Sequence, residues 1–348
     1  MMATPGRQVV PFAEEWRGLW QAYVASRPEA TIAHQIEWRD IISSTLGHQS
    51  HYLLCLTGTE ITGVLPLFLA KTWWRKKSLI SIPWIDYGGI LAADSDSAEA
   101  LLNAARRITE AEGCSYIEFR SVNPLNLALA PRTDKVTFLL DLDRNPEVVW
   151  NKLDSKLRNQ IRKSQKSGLV TEFTGIEGLN DFYRVFCRNM RDLGTPVWGR
   201  DFFAAILDTM KESARLLLVK KDGRTIAGGL VLSFRDRWYV PSASSLRESL
   251  QYCPNHALYW AVIEKACRDG RAYFDFGRSS EDSPTYRFKI QWVPQAIPLA
   301  WQYYLAAGGE PPRISPQNPK YRLFIGVWRH LPLSLANYLG PKVIKNFP

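Results

Sequence analysis

The sequence predicts an α+β protein made of two similar lobes, each with a mixed β-sheet flanked by helices. Three observations predict this fold class. The chain has 348 residues, which is room for about two domains. The same order of hairpin, further strand, helix and strand occurs twice along it, and a basic helical segment separates the two copies. A doubled α+β lobe is therefore the expected architecture.

The composition is that of an ordinary globular protein, with 46% apolar and 22% charged residues. No apolar run reaches the roughly 18 residues of a membrane span, and the N-terminal residues lack the pattern of a signal peptide. The five cysteines are scattered without a CxxC pair, so neither a disulfide framework nor a zinc site is indicated. We expect a cytoplasmic protein without a bound metal. The net charge of +10 favours anionic partners such as phosphates, nucleic acid or an acidic membrane surface.

The first part of the repeat is a β-hairpin. Residues 52–69 and 215–234 each contain an apolar strand, a short polar turn and a second apolar strand. The Asp222-Gly223 pair in the second copy is a strong hairpin signal. Helical patterns precede both hairpins, at residues 36–46 in the first copy and at 180–193 and 202–211 in the second. The alignment pairs Ile61 with Ile226 and Gly63 with Gly228.

The second part of the repeat is an amphipathic helix, a glycine that ends it and a short aromatic strand. Residues 99–120 and 256–278 share this order. At a constant spacing, Gly113 aligns with Gly270, Tyr116 with Tyr273 and Phe119 with Phe276. The first copy has a longer loop at residues 71–81, which carries the basic aromatic sequence KTWWRKKS.

Between the copies, residues 145–168 are punctuated as one helix by Asn145-Pro146 and Gly168. Its cations include Arg158, Arg162 and Lys163, and it has no acid after Asp154, so we expect these three to contact an anionic substrate. A solvated basic face is the alternative. We predict a first lobe over residues 1–140, a basic connecting helix over 141–170, a second lobe over 171–304 and a C-terminal segment over 305–348.

Four motifs, in order, carry a family resemblance: KLRNQIRKSQKSGL, FYRVFCRNMRDLGTPV, FDFGRSS and TYRFKIQW. They resemble the Fem family of aminoacyltransferases, and more closely the FemAB-related proteins found beside exosortase and exopolysaccharide gene clusters. Those proteins belong to the GNAT superfamily of N-acyltransferases. The resemblance covers residues from about 34 to about 304 and implies tandem GNAT-like lobes.

The resemblance implies transfer of an acyl or aminoacyl group to an amine. Fem ligases take the group from aminoacyl-tRNA and place it on a peptidoglycan precursor, whereas ordinary GNAT enzymes use acyl-CoA. The sequence departs from both. It lacks the glycine-rich loop that holds the coenzyme A pyrophosphate, it lacks a long helical-hairpin insertion, and Val293-Pro294 replaces the small pair of the FKxxWGA motif. The donor, aminoacyl-tRNA or acyl-CoA, therefore stays open.

Candidate site residues concentrate in the second copy. We interpret residues 285–292 as a strand in which Arg287, Lys289 and Gln291 share one face. Lys289 matches the lysine of the Fem motif and is a catalytic candidate with Tyr286 and Asp275. Asp275 lies between two phenylalanines and should need a partner such as Arg278. The candidate substrate contacts here are Ser244, Arg278 and Arg287.

In the first copy, Asp86 and Tyr87 stand before Gly88-Gly89 at a strand-to-turn corner. Glycines permit close backbone approach to a ligand, so this corner beside the basic loop 73–77 is a candidate acceptor pocket; a simple turn is the alternative. No histidine pair has metal-ligand spacing. The C-terminal segment either covers a lobe or makes a peripheral membrane contact.

The leading hypothesis is an N-acyltransferase that acts on an amine of an anionic, nucleotide- or lipid-linked glycan or peptide precursor of the cell envelope or exopolysaccharide. One alternative is an acyl-CoA-dependent GNAT N-acetyltransferase. A second, of a different class, is a non-catalytic protein that binds an anionic polymer in a basic groove. We expect copy two to carry the chemistry, because its strand ends are richer in polar groups.

Overall fold

The computed structural model describes residues 6–71, 76–132, 134–307 and 319–347. The chain forms two compact units. Unit 1 contains residues 1–135, 298–313 and 346–348, and unit 2 contains residues 136–297 and 314–345. These boundaries differ from the predicted lobes because each unit includes a strand from outside its own repeat. Residues 73–75 of the basic loop at 73–77 lie outside the described ranges.

The strands, in chain order, are β1 (Arg7–Pro11), β2 (Gln49–Ser50), β3 (Leu53–Thr57), β4 (Glu60–Leu65), β5 (Phe68–Lys71), β6 (Lys77–Ile80), β7 (Leu91–Ala92), β8 (Cys114–Ser121), β9 (Ala130–Arg132), β10 (Lys135–Thr137), β11 (Leu139–Asp141), β12 (Val170–Thr174), β13 (Ala214–Lys221), β14 (Arg224–Phe234), β15 (Arg237–Ser245), β16 (Tyr273–Asp275), β17 (Ser279–Ser280), β18 (Ile297–Pro298) and β19 (Ala300–Leu305).

The α-helices are α1 (Arg17–Ser26), α2 (Glu37–Leu46), α3 (Ser95–Glu112), α4 (Pro146–Lys152), α5 (Ser155–Lys166), α6 (Leu179–Leu193), α7 (Arg200–Thr209), α8 (Pro254–Arg268), α9 (Pro284–Lys289), α10 (Pro319–Arg329) and α11 (Leu333–Ile344). Short 3₁₀ helices lie between some of them, among them Ile32–His34 and Arg247–Tyr252.

Unit 2 is built on one six-stranded sheet with the order β11-β16-β15-β14-β13-β12. All neighbours are antiparallel except β15 and β16, which are parallel. The hairpin turn between β13 and β14 is made by Asp222 and Gly223, whose φ angles of 49° and 74° fit the type I′ turn that the pair predicts. Helix α8 packs against the sheet through Leu258, Val262 and Ile263, so the predicted helix-on-sheet core is confirmed.

Unit 1 repeats this strand order with one interruption. Strands β1, β3 and β4 form one sheet with β7, and β5, β6, β8 and β19 form another with β2 and β9. Strands β4 and β5 together correspond to the single long strand β14, and Pro66 lies in the gap between them, where a ladder donor is missing. Strands β6 and β8 are parallel, as β15 and β16 are. The two halves therefore have the same strand order, and the predicted α+β fold of tandem lobes is confirmed.

Each sheet is completed by a strand that follows the other copy of the repeat. Strand β11 comes directly after the first copy, yet it pairs with β16 of unit 2. Strand β19 comes after the second copy and pairs with β8 of unit 1. Trp301 and Tyr303 of β19 are buried. The sequence predicts residues 300–304 in the second lobe, and the structure corrects this because their hydrogen-bond partners are in β8.

Two helical predictions need correction. Residues 145–168 form two helices rather than one, because Leu153 is extended and Asp154 caps the second helix by accepting a hydrogen bond from the Lys156 amide. Both pieces pack on α8 and belong to unit 2. Residues 285–292 are not a strand. Ser283 caps α9, and Pro284 occupies its first position, where the missing N–H costs nothing.

The C-terminal helices α10 and α11 both pack on α6 within unit 2. Trp328, Ala336 and Val343 are buried there, whereas Leu323 and Tyr338 are exposed. The segment thus covers a lobe on one side. Of the helices in the described ranges, none is both long and apolar enough to cross a bilayer.

Candidate functional site

The candidate site of unit 2 lies where the parallel strands β15 and β16 part. Their pairing ends at Tyr239 and Asp275, because β16 stops there. Strand β15 continues to Ser245, and only β14 flanks this stretch among the described strands. One edge of residues 240–245 is therefore open to another hydrogen-bonding partner.

The pairing pattern shows which amides face this open edge. The Leu246 N–H donates to the Ile226 carbonyl of unit 2 at 2.9 Å, so Leu246 and its alternate neighbours Ser244 and Ser242 direct their backbone groups toward β14. Ala243 and Ser245 consequently direct theirs to the open edge. Pro241 also belongs to this edge and has no N–H to offer. The open edge can therefore hold an extended or planar acyl group by its backbone.

Asp275, the last residue of β16, is 1% exposed and is held by backbone and side-chain donors. The Gly277 amide donates to it at 2.8 Å and the Thr137 hydroxyl at 3.2 Å. The Arg237 guanidinium forms an ion pair with it at 3.4 Å. The sequence predicts that this carboxylate needs a partner and suggests Arg278; the partners that the structure shows include Arg237, Thr137 and the Gly277 amide. A carboxylate satisfied in this way stabilises the turn that follows it.

Lys289 is 7% exposed and holds the same turn from the carbonyl side. Its Nζ atom donates to the Gly277 carbonyl at 2.8 Å and to the Arg278 carbonyl at 2.9 Å. Gly277 has a φ of 70°, a region that favours glycine. Asp275 and Lys289 are thus joined through the Gly277–Arg278 backbone.

The other residues that the sequence singled out in unit 2 lie near this turn in the chain but differ in exposure. Arg278 and Arg287 are exposed, and Tyr286 is half-buried with its ring 5.3 Å from that of Phe138. Ser244 is buried, and its hydroxyl accepts a hydrogen bond from the Asn189 amide at 3.1 Å. Helix α9 places Arg287 and Lys289 on different sides, so they do not form the two-cation strand face that we expected.

Sequence reasoning missed Arg237, Thr137 and Asn189. Arg237 and Thr137 contact Asp275 from β15 and β10, and Asn189 reaches Ser244 from α6. Only the buried aspartate signalled that such partners must exist. Their positions depend on strand pairing over long sequence separations, which the sequence pattern does not specify.

The start of α8 lacks the phosphate-binding loop of ordinary GNAT enzymes. Cys253 precedes it with a φ of 57°, and Pro254 at the first position offers no amide. His256 follows, with its ring 5.3 Å from that of Phe288, and burial lowers its pKa to about 4. A neutral imidazole and a proline therefore stand where a pyrophosphate would need donors.

The basic residues of α5 are placed on the outside of unit 2. Arg162 and Lys163 are exposed, Arg158 is half-buried, and the Arg162 guanidinium lies 5.4 Å from the centre of the Trp150 ring. Leu157 and Ile161 bury the opposite side of the helix. The structure leaves Arg162 and Lys163 accessible to an anion.

Unit 1 has a buried ionic cluster at the position equivalent to Asp275. Glu118 of β8 accepts hydrogen bonds from Arg120 at 2.7 Å and from Tyr303 at 2.6 Å. Burial would raise the pKa of Glu118, but Arg120, Tyr303 and Arg132 together lower it. Arg120 also donates to the carbonyls of Ile82 and Ile85. It thereby fixes the corner that carries Asp86, which is half-buried, and Tyr87, which is buried.

Comparison with known proteins assigns the fold and the class. Residues 151–289 match the family model of an acetyltransferase (GNAT) domain. No curated protein matches the sequence. The matched domain contains Asp275, Lys289 and the open edge of β15, and it confirms the expectation of an acyltransferase.

Solved structures share the tandem fold at low sequence identity. The crystal structure of FemX is 16% identical with a TM-score of 0.66, covering 91% of this chain and 100% of FemX. The C-terminal domain of a putative lysylphosphatidylglycerol synthetase from Agrobacterium fabrum is 12% identical with a TM-score of 0.57, covering 83% and 91% of the two chains. A tandem GNAT protein from the clavulanic acid biosynthesis pathway is 14% identical with a TM-score of 0.55, covering 88% and 100%. At these identities the likeness is one of fold.

Proposed function

We propose that this protein is a Fem-like aminoacyltransferase, which moves an aminoacyl group from tRNA to the amine of an anionic cell-envelope or exopolysaccharide precursor. The observation that carries the proposal is the open edge of β15 beside the Gly277 turn. Backbone amides of Ala243 and Ser245 there are free of ladder pairing with β14. Such amides can hold the carbonyl of an acyl donor.

The proposed reaction is direct aminolysis. The lone pair of the acceptor nitrogen attacks the acyl carbonyl carbon, a C–N bond forms and the carbonyl oxygen becomes anionic. The C–O bond to the donor then breaks, and the proton lost by the nitrogen passes to the departing oxygen. The amide of Ala243 stabilises the anionic oxygen, because a fixed donor in a half-buried site needs no reorganisation as charge develops.

In this proposal Asp275 and Lys289 are positioning residues. They fix the Gly277–Arg278 turn, which follows β16, through its amide and its carbonyls. Tyr286, Arg278 and Arg287 remain proposed contacts of the reacting groups, and Ser244 supports the strand through Asn189. Arg158, Arg162 and Lys163 are proposed contacts for phosphates of the donor or acceptor. Asp86 and Tyr87 are proposed acceptor contacts of unit 1.

Two observations favour aminoacyl-tRNA over acyl-CoA as the donor. The start of α8 offers proline and a neutral histidine where coenzyme A would need amide donors. The exposed cations of α5 suit the long phosphate backbone of a nucleic acid. The proposed site of action is the cytoplasm, where charged tRNA is found.

A transfer assay tests the function. The full chain is incubated with hydroxylamine as a small nucleophile, and either tRNA charged with radiolabelled amino acids or acetyl-CoA, and hydroxamate is measured above the protein-free rate. Acceleration with charged tRNA supports the proposal. Acceleration with acetyl-CoA alone overturns the proposal of aminoacyl-tRNA as the donor and favours the N-acetyltransferase alternative. If neither donor gives acceleration, the proposed transfer activity is overturned and a binding protein for anionic polymers is favoured.

The same assay tests the open edge. Ala243→Pro removes the proposed amide without touching the β14 ladder, and we expect turnover to fall by about 10²–10³, the usual cost of losing one such donor. Ala243→Gly keeps the amide and is the matched control, expected within a few-fold of the parent. Equal rates in the two variants would remove the amide from the mechanism.

A further inference from the structure

Unit 1 has its own cavity, of about 300 Å³, at the carboxyl ends of the parallel strands β6 and β8. Its walls come from residues 88–98, which follow β6, from residues 121–126, which follow β8, and from the region of the 3₁₀ helix Ile32–His34. The corresponding strands of unit 2 are β15 and β16, which part at the candidate site. The repeat therefore places a cavity in unit 1 where unit 2 has its open edge.

Two buried polar side chains line this cavity without a hydrogen-bond partner of normal geometry in the described part of the chain. His34 is 3% exposed and Ser121 is 5% exposed. Ser121 Oγ has no partner there, and His34 Nε2 has only a weak contact with the Gly89 backbone. A buried polar group without a full-strength hydrogen bond is destabilising until a ligand completes it. Two of them in one cavity indicate a ligand that pairs with them.

The local hydrogen bonds define what His34 offers. Its Nδ1 atom accepts a hydrogen bond from the Thr31 amide at 3.1 Å, so the ring proton of the neutral imidazole is on Nε2. Burial lowers the pKa of His34 to about 4, which keeps the ring neutral at physiological pH. The cavity thus presents one N–H donor from His34 and one hydroxyl, able to donate or accept, from Ser121.

The backbone beside the cavity is strained, and at Gly89 it approaches the Ser121 side chain closely. A Cβ on Gly89, whose φ is 100°, would lie 2.4 Å from Ser121 Oγ, so only glycine permits this approach. Ile82 and Trp84 have φ angles of 49° and 66° and are thus left-handed, which is costly for a β-branched residue. Arg120 holds this segment through two carbonyls. Backbone strain that a buried arginine side chain holds in place is typical of a binding site.

The charges around the cavity exclude an anionic ligand. No lysine or arginine is among its lining residues. The two lining carboxylates are already paired, Glu29 with Arg27 at 3.4 Å and Asp94 with Arg7 at 3.1 Å. Asn123 and Asn126 add further uncharged polar groups, and Leu125 and Ile90 add apolar surface. An unpaired phosphate or carboxylate would be poorly solvated here.

We infer that this cavity of unit 1 binds an uncharged amide-bearing group, such as an acetamido sugar or a peptide amide, through His34 and Ser121. An amide supplies both the oxygen that the His34 N–H requires and a partner for the Ser121 hydroxyl, and the volume is enough for a group of monosaccharide or dipeptide size. That this group is part of the acceptor rests on the proposed function; the binding itself does not.

Saturation-transfer NMR on the full chain tests this site without any turnover. The probes are N-acetylglucosamine, N-acetylalanine amide, inorganic phosphate and coenzyme A. We expect millimolar binding of at least one amide probe, which identifies the sugar or the peptide as the source. We expect that signal to fall at least five-fold in Ser121→Ala and in His34→Leu.

Two controls keep the test decisive. Ser78→Ala removes another buried hydroxyl of unit 1 that is not among the lining residues, and it should leave the signal unchanged. His34→Gln retains an acceptor for Thr31 and a donor, and should keep most of the binding if His34→Leu fails to fold. Absence of both amide signals, signals equal in all variants, or phosphate binding lost in Ser121→Ala would each overturn the inference. Failure of the transfer assay would not affect this result.

Discussion

Lys289 is a buried cation that donates to two backbone carbonyls of one turn. Replacing it with methionine leaves the Gly277 and Arg278 carbonyls without this donor, at a cost of about 1–3 kcal/mol. We expect Lys289→Met to lower the melting temperature and the turnover together, because the turn both stabilises unit 2 and orders the site. Thermal melting and the transfer assay, run on the same samples, check this.

The matched control is Lys265→Met on α8, whose partner Asp269 is on the surface, so little change is expected in either quantity. A lysine that acts only on the reacting atoms would give a different result, with normal melting and lost turnover in Lys289→Met. That outcome would make Lys289 a catalytic residue and remove the positioning role.

The sequence predicted which residues belong to the candidate site better than it predicted which side chains contact them. The sequence singled out Asp275 and Lys289, and the structure joins them through the Gly277 turn. It could not supply Arg237 or Thr137, because both reach Asp275 through pairing of strands distant in sequence. Ser121 and His34 were not singled out at all, since a lone serine and a lone histidine carry no pattern.

At the scale of the element, the helix α5 presents Lys163 on an exposed basic face. We expect Lys163→Glu to weaken tRNA binding and to lower the slope of log affinity against log salt by about 1, as loss of one phosphate contact does. Filter binding between about 50 and 200 mM salt measures both. Folding should be nearly unchanged, because exposed charges contribute little.

Lys211→Glu serves as the control for Lys163→Glu. Lys211 is exposed after α7 in unit 2 and forms a surface ion pair with the similarly exposed Asp208. The two variants change the net charge by the same amount. Identical tRNA affinities and salt slopes in the two would mean that α5 is merely a solvated face.

Elements with a clear turn motif or a long hydrophobic periodicity could be predicted from the sequence, whereas short elements could not. The hairpin at Asp222-Gly223 and the helix α8 followed from turn chemistry and periodicity. Residues 285–292 alternate in a way that suits a strand as well as one helical turn, and the decisive signal was Ser283-Pro284, a cap followed by a helix-starting proline. Asp154 likewise was a cap within a longer helical pattern, and it divides α4 from α5.

At the scale of the molecule, each unit depends on a strand from outside its own repeat. Trp301 of β19 is buried in unit 1, and Phe138 beside β11 is buried in the core of unit 2. Truncating a buried aromatic residue to alanine costs about 3–5 kcal/mol. We expect Trp301→Ala to lower hydrogen-exchange protection in β6 and β8, and Phe138→Ala to lower it in β13 to β16, each leaving the other unit less affected.

Hydrogen exchange followed by mass spectrometry resolves the two units in one experiment. The reciprocal pair is its own control, since each variant removes one large apolar side chain. If Trp301→Ala weakened protection in β13 to β16 as much as in β8, the sheets would not be stabilised separately by their added strands.

The sequence repeat predicted the doubled lobe but not this pairing. Residues 139–141 and 300–305 are short, and nothing in their own composition says which sheet they join. Each follows one copy of the repeat directly in sequence, yet each pairs with the sheet of the other unit.

The position of β19 has a consequence during synthesis on the ribosome. Unit 1 lacks β19, the strand that pairs with β8, until residues 300–305 have left the exit tunnel. All of residues 136–297 must be translated before that. At about 5–20 residues per second, this interval lasts on the order of ten seconds or more. During this interval the nascent chain exposes the edge of β8 that later pairs with β19. We therefore expect the N-terminal portion to bind a chaperone that shields unpaired strands.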